Sequence, residues 1–192
     1  MVALISNPPD AVALMEASRS FGNYDLAAAL ADIVDNSITA SATKISIDCF
    51  YEGDDSLIRI ADNGLGMSEN ELKNAMRPAS KNPLEERGAD DLGRFGLGLK
   101  TASFSQCRRL SVISKTAGGS KSMRCWDLDV IAEHNEWRLL REASENAVEA
   151  SSNLDELKSG TLVMWENMDR VTGNTQTTNS TAHENFLKRV EE

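Results

Sequence analysis

The chain reads as an α+β domain, a two-layer α/β sandwich in which helices cover one face of a mixed, mostly antiparallel sheet. Three observations predict this class. The order of elements is helix, helix, hairpin, helix, polar loop, helix, and then a run of strand-like segments. The length of 192 residues suits a single domain that can bury a sizeable core. Hydrophobic residues at 41% and charged residues at 26% match ordinary folded domains.

Residues 10–19 (DAVALMEASR) have helical spacing after Pro9. Residues 24–41 (YDLAAALADIVDNSITAS) are rich in Ala and Leu, which favour helix, and Leu26, Leu30, Ile33 and Val34 recur at core-facing intervals. Residues 44–51 (KISIDCFY) alternate apolar and polar as a half-buried strand does. Gly53-Asp54-Asp55 is a turn and residues 56–61 form a second strand, so 44–61 reads as a hairpin. After Asp62-Asn63-Gly64-Leu65-Gly66, Ser68 and Glu71 make a capping-box pattern that opens another helix. Residues 77–93 are polar, contain Pro78 and Pro83, and read as a long loop of the kind that often serves as a functional lid. A helix is expected over 96–106 and strands over 109–115, 121–129, 136–141 and 161–166. Residues 171–182 (VTGNTQTTNSTA) read as a polar linker and the last ten residues as the first turns of a helix. The expected division is therefore a domain over 1–170 and a linker with a helix start over 171–192. No internal repeat is visible.

Composition narrows the function classes. Thirty acidic against 20 basic residues give a net charge of −10, which argues against a broad nucleic-acid backbone footprint on this domain. A local basic patch of Lys100, Arg108 and Arg109 is the alternative to scattered solvated charge. No run approaches the roughly 18–20 apolar residues of a membrane span. No basic leader precedes the apolar residues at the N-terminus, and Pro8 and Pro9 interrupt them, so a secretory signal is not expected. Cys49, Cys107 and Cys125 are odd in number and lack metal-ligand spacing, which fits a reducing cytoplasm. His134 and His183 stand alone, giving no support to a zinc site or a His-based triad.

Three segments could carry chemistry. Asp32 and Asn36 lie four apart on one face of the expected second helix, whereas Asp35 lies on another side. A carboxylate there can orient or deprotonate a water, and the amide oxygen is a hard ligand suited to Mg²⁺. A solvated polar face is the alternative, and for the pair read alone it is the favoured one. Asp62 precedes Gly64 and Gly66, which permit a sharp turn and close backbone approach to a ligand. A fixed carboxylate at that point can accept a hydrogen bond from the exocyclic amine of adenine, where guanine presents an acceptor. A plain Asp-Asn-Gly turn is the alternative. Third, Gly93, Arg94, Phe95, Gly96, Leu97, Gly98, Leu99, Lys100 and Thr101 place three glycines before a helix, so backbone N–H groups can face phosphates. Their order reverses the dinucleotide fingerprint and misses the P-loop because Leu99 separates Gly98 from Lys100. A flexible glycine hinge is the alternative here. Thr161, after Gly160 at a strand start, adds a hydroxyl that can reach a base or a buried polar group.

Taken together and in this order, the segments resemble the GHKL ATPases, the Bergerat-fold family that includes gyrase B, the large heat-shock chaperones, MutL, histidine kinases and the MORC proteins. ADIVDNSITA is similar to the N box, ADNGLGM to the first glycine box, GRFGLGLKTAS to the second and SGTLVMW to the weaker third, over roughly residues 20–166. The run Lys100-Thr101-Ala102-Ser103 is closest in style to the MORC and MutL-like branch. The resemblance implies ATP and Mg²⁺ as ligands. Asn36 would bind the metal, with Ala40 closing the first box. Asp62 would read adenine, with Gly64, Gly66 and Met67 lining the base and Thr161 supporting it. Ser80 and Lys81 would stand near the phosphates, and residues 93–101 would wrap them. Asp32 takes the place of the catalytic glutamate.

Aspartate is one methylene shorter, and a misplacement of about 1 Å can cost on the order of 10²-fold. The resemblance therefore implies ATP binding with slow hydrolysis, driving a conformational switch and ATP-dependent homodimerisation of the full-length protein. DNA contact by this domain is not indicated. Two other readings share the fold. A histidine-kinase catalytic domain would need a phosphoacceptor helix, and neither histidine supplies one. A nucleotide sensor would bind without hydrolysing.

Overall fold

The computed structural model describes residues 5–20, 24–53, 55–78 and 98–170, with Glu184 and Lys188. Helix α1 (Ala11–Ser18) starts where the Asp10 carboxylate accepts from Ala13 N–H at 2.8 Å. Helix α2 (Leu26–Thr39) is capped in the same way by Asp25, which accepts from Ala28 N–H at 2.7 Å. It buries Leu26, Ala29, Leu30, Ile33 and Ser37, so a polar Ser37 shares the inward stripe. Strands β1 (Ile45–Phe50) and β2 (Leu57–Asp62) form the expected hairpin. Ser68 and Glu71 close a reciprocal capping box at the head of α3 (Glu69–Met76). Helix α4 (Gly98–Gln106) follows, then β3 (Arg109–Lys115), β4 (Ser122–Asp127), α5 (Leu128–His134), α6 (Glu145–Ala150), a 3₁₀ turn (Ser151–Leu154) and β5 (Gly160–Glu166).

The five strands lie in the order β1-β2-β5-β3-β4. Every neighbouring pair among them is antiparallel, so the sheet is purely antiparallel rather than mixed among the described residues. The last strand in sequence thus sits in the middle, buried along its whole length. Its register decides the site. Asp62 of β2 and Ser114 of β3 both pair with Thr161 of β5, which sets three polar side chains abreast on three adjacent strands.

On one face of the sheet, Ile58, Ile60, Leu110, Val112, Val163 and Trp165 meet residues from α1 to α5 in the main core. Trp165 is fully buried, and its indole N–H is satisfied by Ser103 Oγ of α4 at 2.7 Å. A smaller cluster on the other face joins Ile113, Leu162 and Met164 to Ala147 of α6 and Leu154 of the 3₁₀ turn. A helical layer on one face follows the expectation, with α5 joining the four expected helices, and the short α6 cover on the opposite face is a further addition.

Two strand boundaries differ from the sequence reading. The run expected over 121–129 stops at Asp127, whose Oδ1 accepts from Asp129 N–H at 2.9 Å and turns the chain into α5. The strand expected over 136–141 reduces to one bridge between Cys125 and Leu140. None of the helices among the described residues is long and apolar enough to cross a membrane. The expected linker over 171–182 lies outside the described residues.

Candidate functional site

Asp62 ends β2 with 7% of its surface exposed. Ser37 Oγ donates to its Oδ2 at 2.9 Å and Gly64 N–H to its Oδ1 at 2.8 Å. Burial raises the pKa of this carboxyl, while the Gly64, Ser37 and Thr161 hydrogen bonds restrain that rise. The carboxylate is fixed by helix, turn and strand together, and it retains acceptor capacity for one further donor.

The turn after Asp62 packs backbone against backbone. A Cβ on Gly64 would stand 2.7 Å from Ala40 O, the same carbonyl that accepts from Leu65 N–H at 2.9 Å. Gly66 has φ +68°, and a Cβ there would stand 2.0 Å from Lys115 O, so glycine is required twice over. Met67 N–H then donates to Ser114 Oγ at 2.8 Å, and Ser114 Oγ lies 2.8 Å from Thr161 Oγ1. Asn63 points the other way. Its Oδ1 accepts from Thr43 N–H at 2.9 Å and Lys44 N–H at 2.8 Å, which ties the turn to the link between α2 and β1.

On α2, Asn36 Nδ2 donates to Asp32 O at 2.7 Å, which leaves its Oδ1 as the acceptor. Asp32 is half-buried, and Tyr24 Oη donates to its Oδ2 at 2.9 Å. The start of α4 abuts this carboxylate, since a Cβ on Gly98 would lie 3.6 Å from Asp32 Oδ2. Thr101 hydrogen-bonds the Tyr24 hydroxyl, and Leu99 packs against the main core. Lys100 is buried, with its ammonium 2.6 Å from Ala75 O at the end of α3.

Of the residues singled out in the sequence, Asp62, Gly64, Gly66, Met67 and Thr161 meet at one end of the sheet, with Ala40 behind the turn. Asp32, Asn36, Gly98 and Thr101 gather beside them where α2 meets α4. Ser80, Lys81, Gly93, Arg94, Phe95, Gly96 and Leu97 lie outside the described residues. Sequence reasoning missed Ser37, Ser114 and Tyr24. Ser37 had one available signal, a hydroxyl on the apolar stripe of an otherwise amphipathic helix.

The remaining polar candidates fall elsewhere. Arg108 pairs with Asp129 at 2.6 Å and Arg109 with Asp127 at 2.7 Å, so these cations are matched by acids and form no open basic patch. All three cysteines are free thiols, and burial pushes Cys49 and Cys125 up to about 11 and Cys107 well above the usual range. His134 ends the seven-residue α5 with Nδ1 3.1 Å from Val130 O.

Comparison with known proteins converges on this same stretch. The sequence model of the family described as histidine kinase-, DNA gyrase B-, and HSP90-like ATPase matches residues 24–161. The DNA mismatch repair protein MutL of Shewanella frigidimarina is 36% identical over 104 residues, covering 52% of this chain and 16% of that protein. MutL of Pasteurella multocida is 37% identical over 93 residues, covering 47% and 15%. MutL of Salmonella arizonae is 35% identical over 112 residues, covering 54% and 18%. The chain thus spans less than a fifth of the length of these curated relatives.

Proposed function

This chain belongs to the histidine kinase-, DNA gyrase B-, and HSP90-like ATPase family, and from that premise we propose that it is an Mg²⁺-dependent ATP-binding domain of the MutL-like branch that hydrolyses ATP slowly and acts as a conformational and dimerisation switch. Asp62 is the observation that carries the reading. A carboxylate held by Ser37 and Gly64 N–H, abreast of Thr161, suits one more donor, and the adenine amine is such a donor. Gly64 and Gly66 let the turn close tightly against the Ala40 and Lys115 carbonyls, where any Cβ would collide, and so hold backbone beside Asp62.

The α2–α4 junction suits the phosphate end. Asn36 offers one amide oxygen, which fits Mg²⁺ because that ion keeps most of its shell as water and substrate phosphate oxygens. Mg²⁺ would neutralise phosphate charge there. Asp32 orients and accepts a proton from the attacking water. Its short side chain accounts for slow turnover, since a displacement of about 1 Å costs on the order of 10²-fold. Bound ATP would shift the full-length protein towards a dimer, and hydrolysis would reset it.

Turnover of Mg-ATP by the wild type and by Asp32→Ala tests the catalytic part. Loss of a general base lowers the rate on the order of 10²-fold or more, while the melting shift produced by Mg-ADP persists in both proteins. Equal background rates in the two would contradict hydrolysis and leave a nucleotide sensor.

A further inference from the structure

Tyr24 sits just before Asp25, the N-cap of α2, and its side chain reaches forward along the helix to Asp32. Helix α4 holds this tyrosine at two points. Gln106 Nε2, in the last turn of α4, donates to Tyr24 O at 3.2 Å. Thr101, in the first turn, hydrogen-bonds the Tyr24 hydroxyl. The ring itself packs against the edge of the main core.

Donor direction follows from chemistry. An ionised carboxylate can only accept, so the phenol donates to Asp32, and its own oxygen accepts from Thr101. Burial, and then the Asp32 charge, raise the pKa of the phenol, so it remains a donor at neutral pH. One carboxylate oxygen, Oδ2, is thereby fixed at 2.9 Å from Tyr24 Oη. The other, Oδ1, is left to hold a water. A carboxylate that rotates freely would spend part of its time aimed away from that water, and for a side chain already short of reach this loss matters more.

We propose that Tyr24 is a positioning residue for hydrolysis, one that fixes the Asp32 carboxylate and couples its orientation to α4, the helix that starts within the second glycine box. The proposal rests on Asp32 being the base. It explains why the start of α4 lies against that carboxylate, with a Gly98 Cβ position 3.6 Å from Oδ2. Displacement of α4 would move Thr101 and Gln106 together, and through Tyr24 it would re-aim the carboxylate.

Tyr24→Phe removes the hydroxyl and keeps the packed ring. Steady-state ATP turnover is measured on the full chain, below the melting temperature of each variant, for the wild type, Tyr24→Phe, Asp32→Ala and the double variant. The expected result is a kcat lower on the order of 10-fold in Tyr24→Phe with KM unchanged. In the Asp32→Ala background, the tyrosine change should add nothing, because its effect passes through the carboxylate. Wild-type kcat in Tyr24→Phe would overturn the proposal. So would a raised KM, or a further fall in the Asp32→Ala background, either of which marks a merely structural tyrosine. If wild type and Asp32→Ala turn over equally, Asp32 is no base and the proposal is overturned together with that reading.

Discussion

Asp62 keeps a carboxylate almost wholly out of water, and burial raises its pKa above the ordinary value even with three hydrogen bonds opposing the shift. The folded chain therefore holds this proton more tightly than the unfolded chain. Stability from the group is fully present below the ordinary carboxylate range and is lost as pH rises through the raised value. Asp62→Asn keeps the shape and removes the charge. Thermal melts should place this variant at or above the wild type at neutral pH, with the advantage shrinking as pH falls. Titration calorimetry should show ATP binding weaker by about ten-fold or more, since hydrogen bonds to charged groups contribute roughly 1.5–3 kcal/mol. The grouping of Asp62 with the two glycines, and of Asn36 with Asp32, was legible because the spacing is local. Ser37 and Ser114 were not. Ser37 matters because α2 crosses above the end of β2, and Ser114 because β3 pairs with β5 in one particular register. Tyr24 was not legible either: its bond to Asp32 depends on how the chain enters α2, and its ties to Gln106 and Thr101 reach a helix far along the chain.

Among elements, the turn from β2 to α3 is the most constrained. Gly66 combines φ +68° with a Cβ position 2.0 Å from Lys115 O. Gly66→Ala carries about 1–2 kcal/mol of left-handed strain, and the collision with the Lys115 carbonyl adds to it. The turn must move, which breaks the bond from Met67 N–H to Ser114 Oγ. A melting temperature several degrees lower is expected, together with loss of the Mg-ADP shift. A variant that melts and binds like the wild type would contradict this role for the turn. Helix α2 was readable from its Ala- and Leu-rich run with apolar residues at core-facing intervals, and α3 from the Ser68–Glu71 box. Helix α5 was misread because Leu128, Val130 and Trp126 alternate as a strand would, and only the Asp127 side chain, bonded to Asp129 N–H, turns that run into a helix. The segment over 136–141 failed as a strand because only Leu140 finds a partner.

For the whole molecule, the fold class followed from the grouping of elements, but the sheet order did not. Placing β5 between β2 and β3 is a non-local pairing that no window of sequence reports. That order is what joins Asp62 to Thr161 and Ser114. The far end of the same sheet is held by charge. Arg19, almost fully buried, donates to Phe104 O of α4 and pairs with Asp169 just beyond β5, so α1, α4 and the exit of β5 are locked together. The proposed nucleotide end thus rests on a rigid frame, as a site that reads a base by one hydrogen bond would require. Calorimetric titration of the full chain with a non-hydrolysable ATP analogue and its GTP counterpart, both with Mg²⁺, tests that claim most directly. Binding of the adenine compound with no comparable binding of the guanine compound is predicted, because guanine would set an acceptor against the Asp62 carboxylate. Failure to bind either nucleotide, or equal affinity for both, would contradict it.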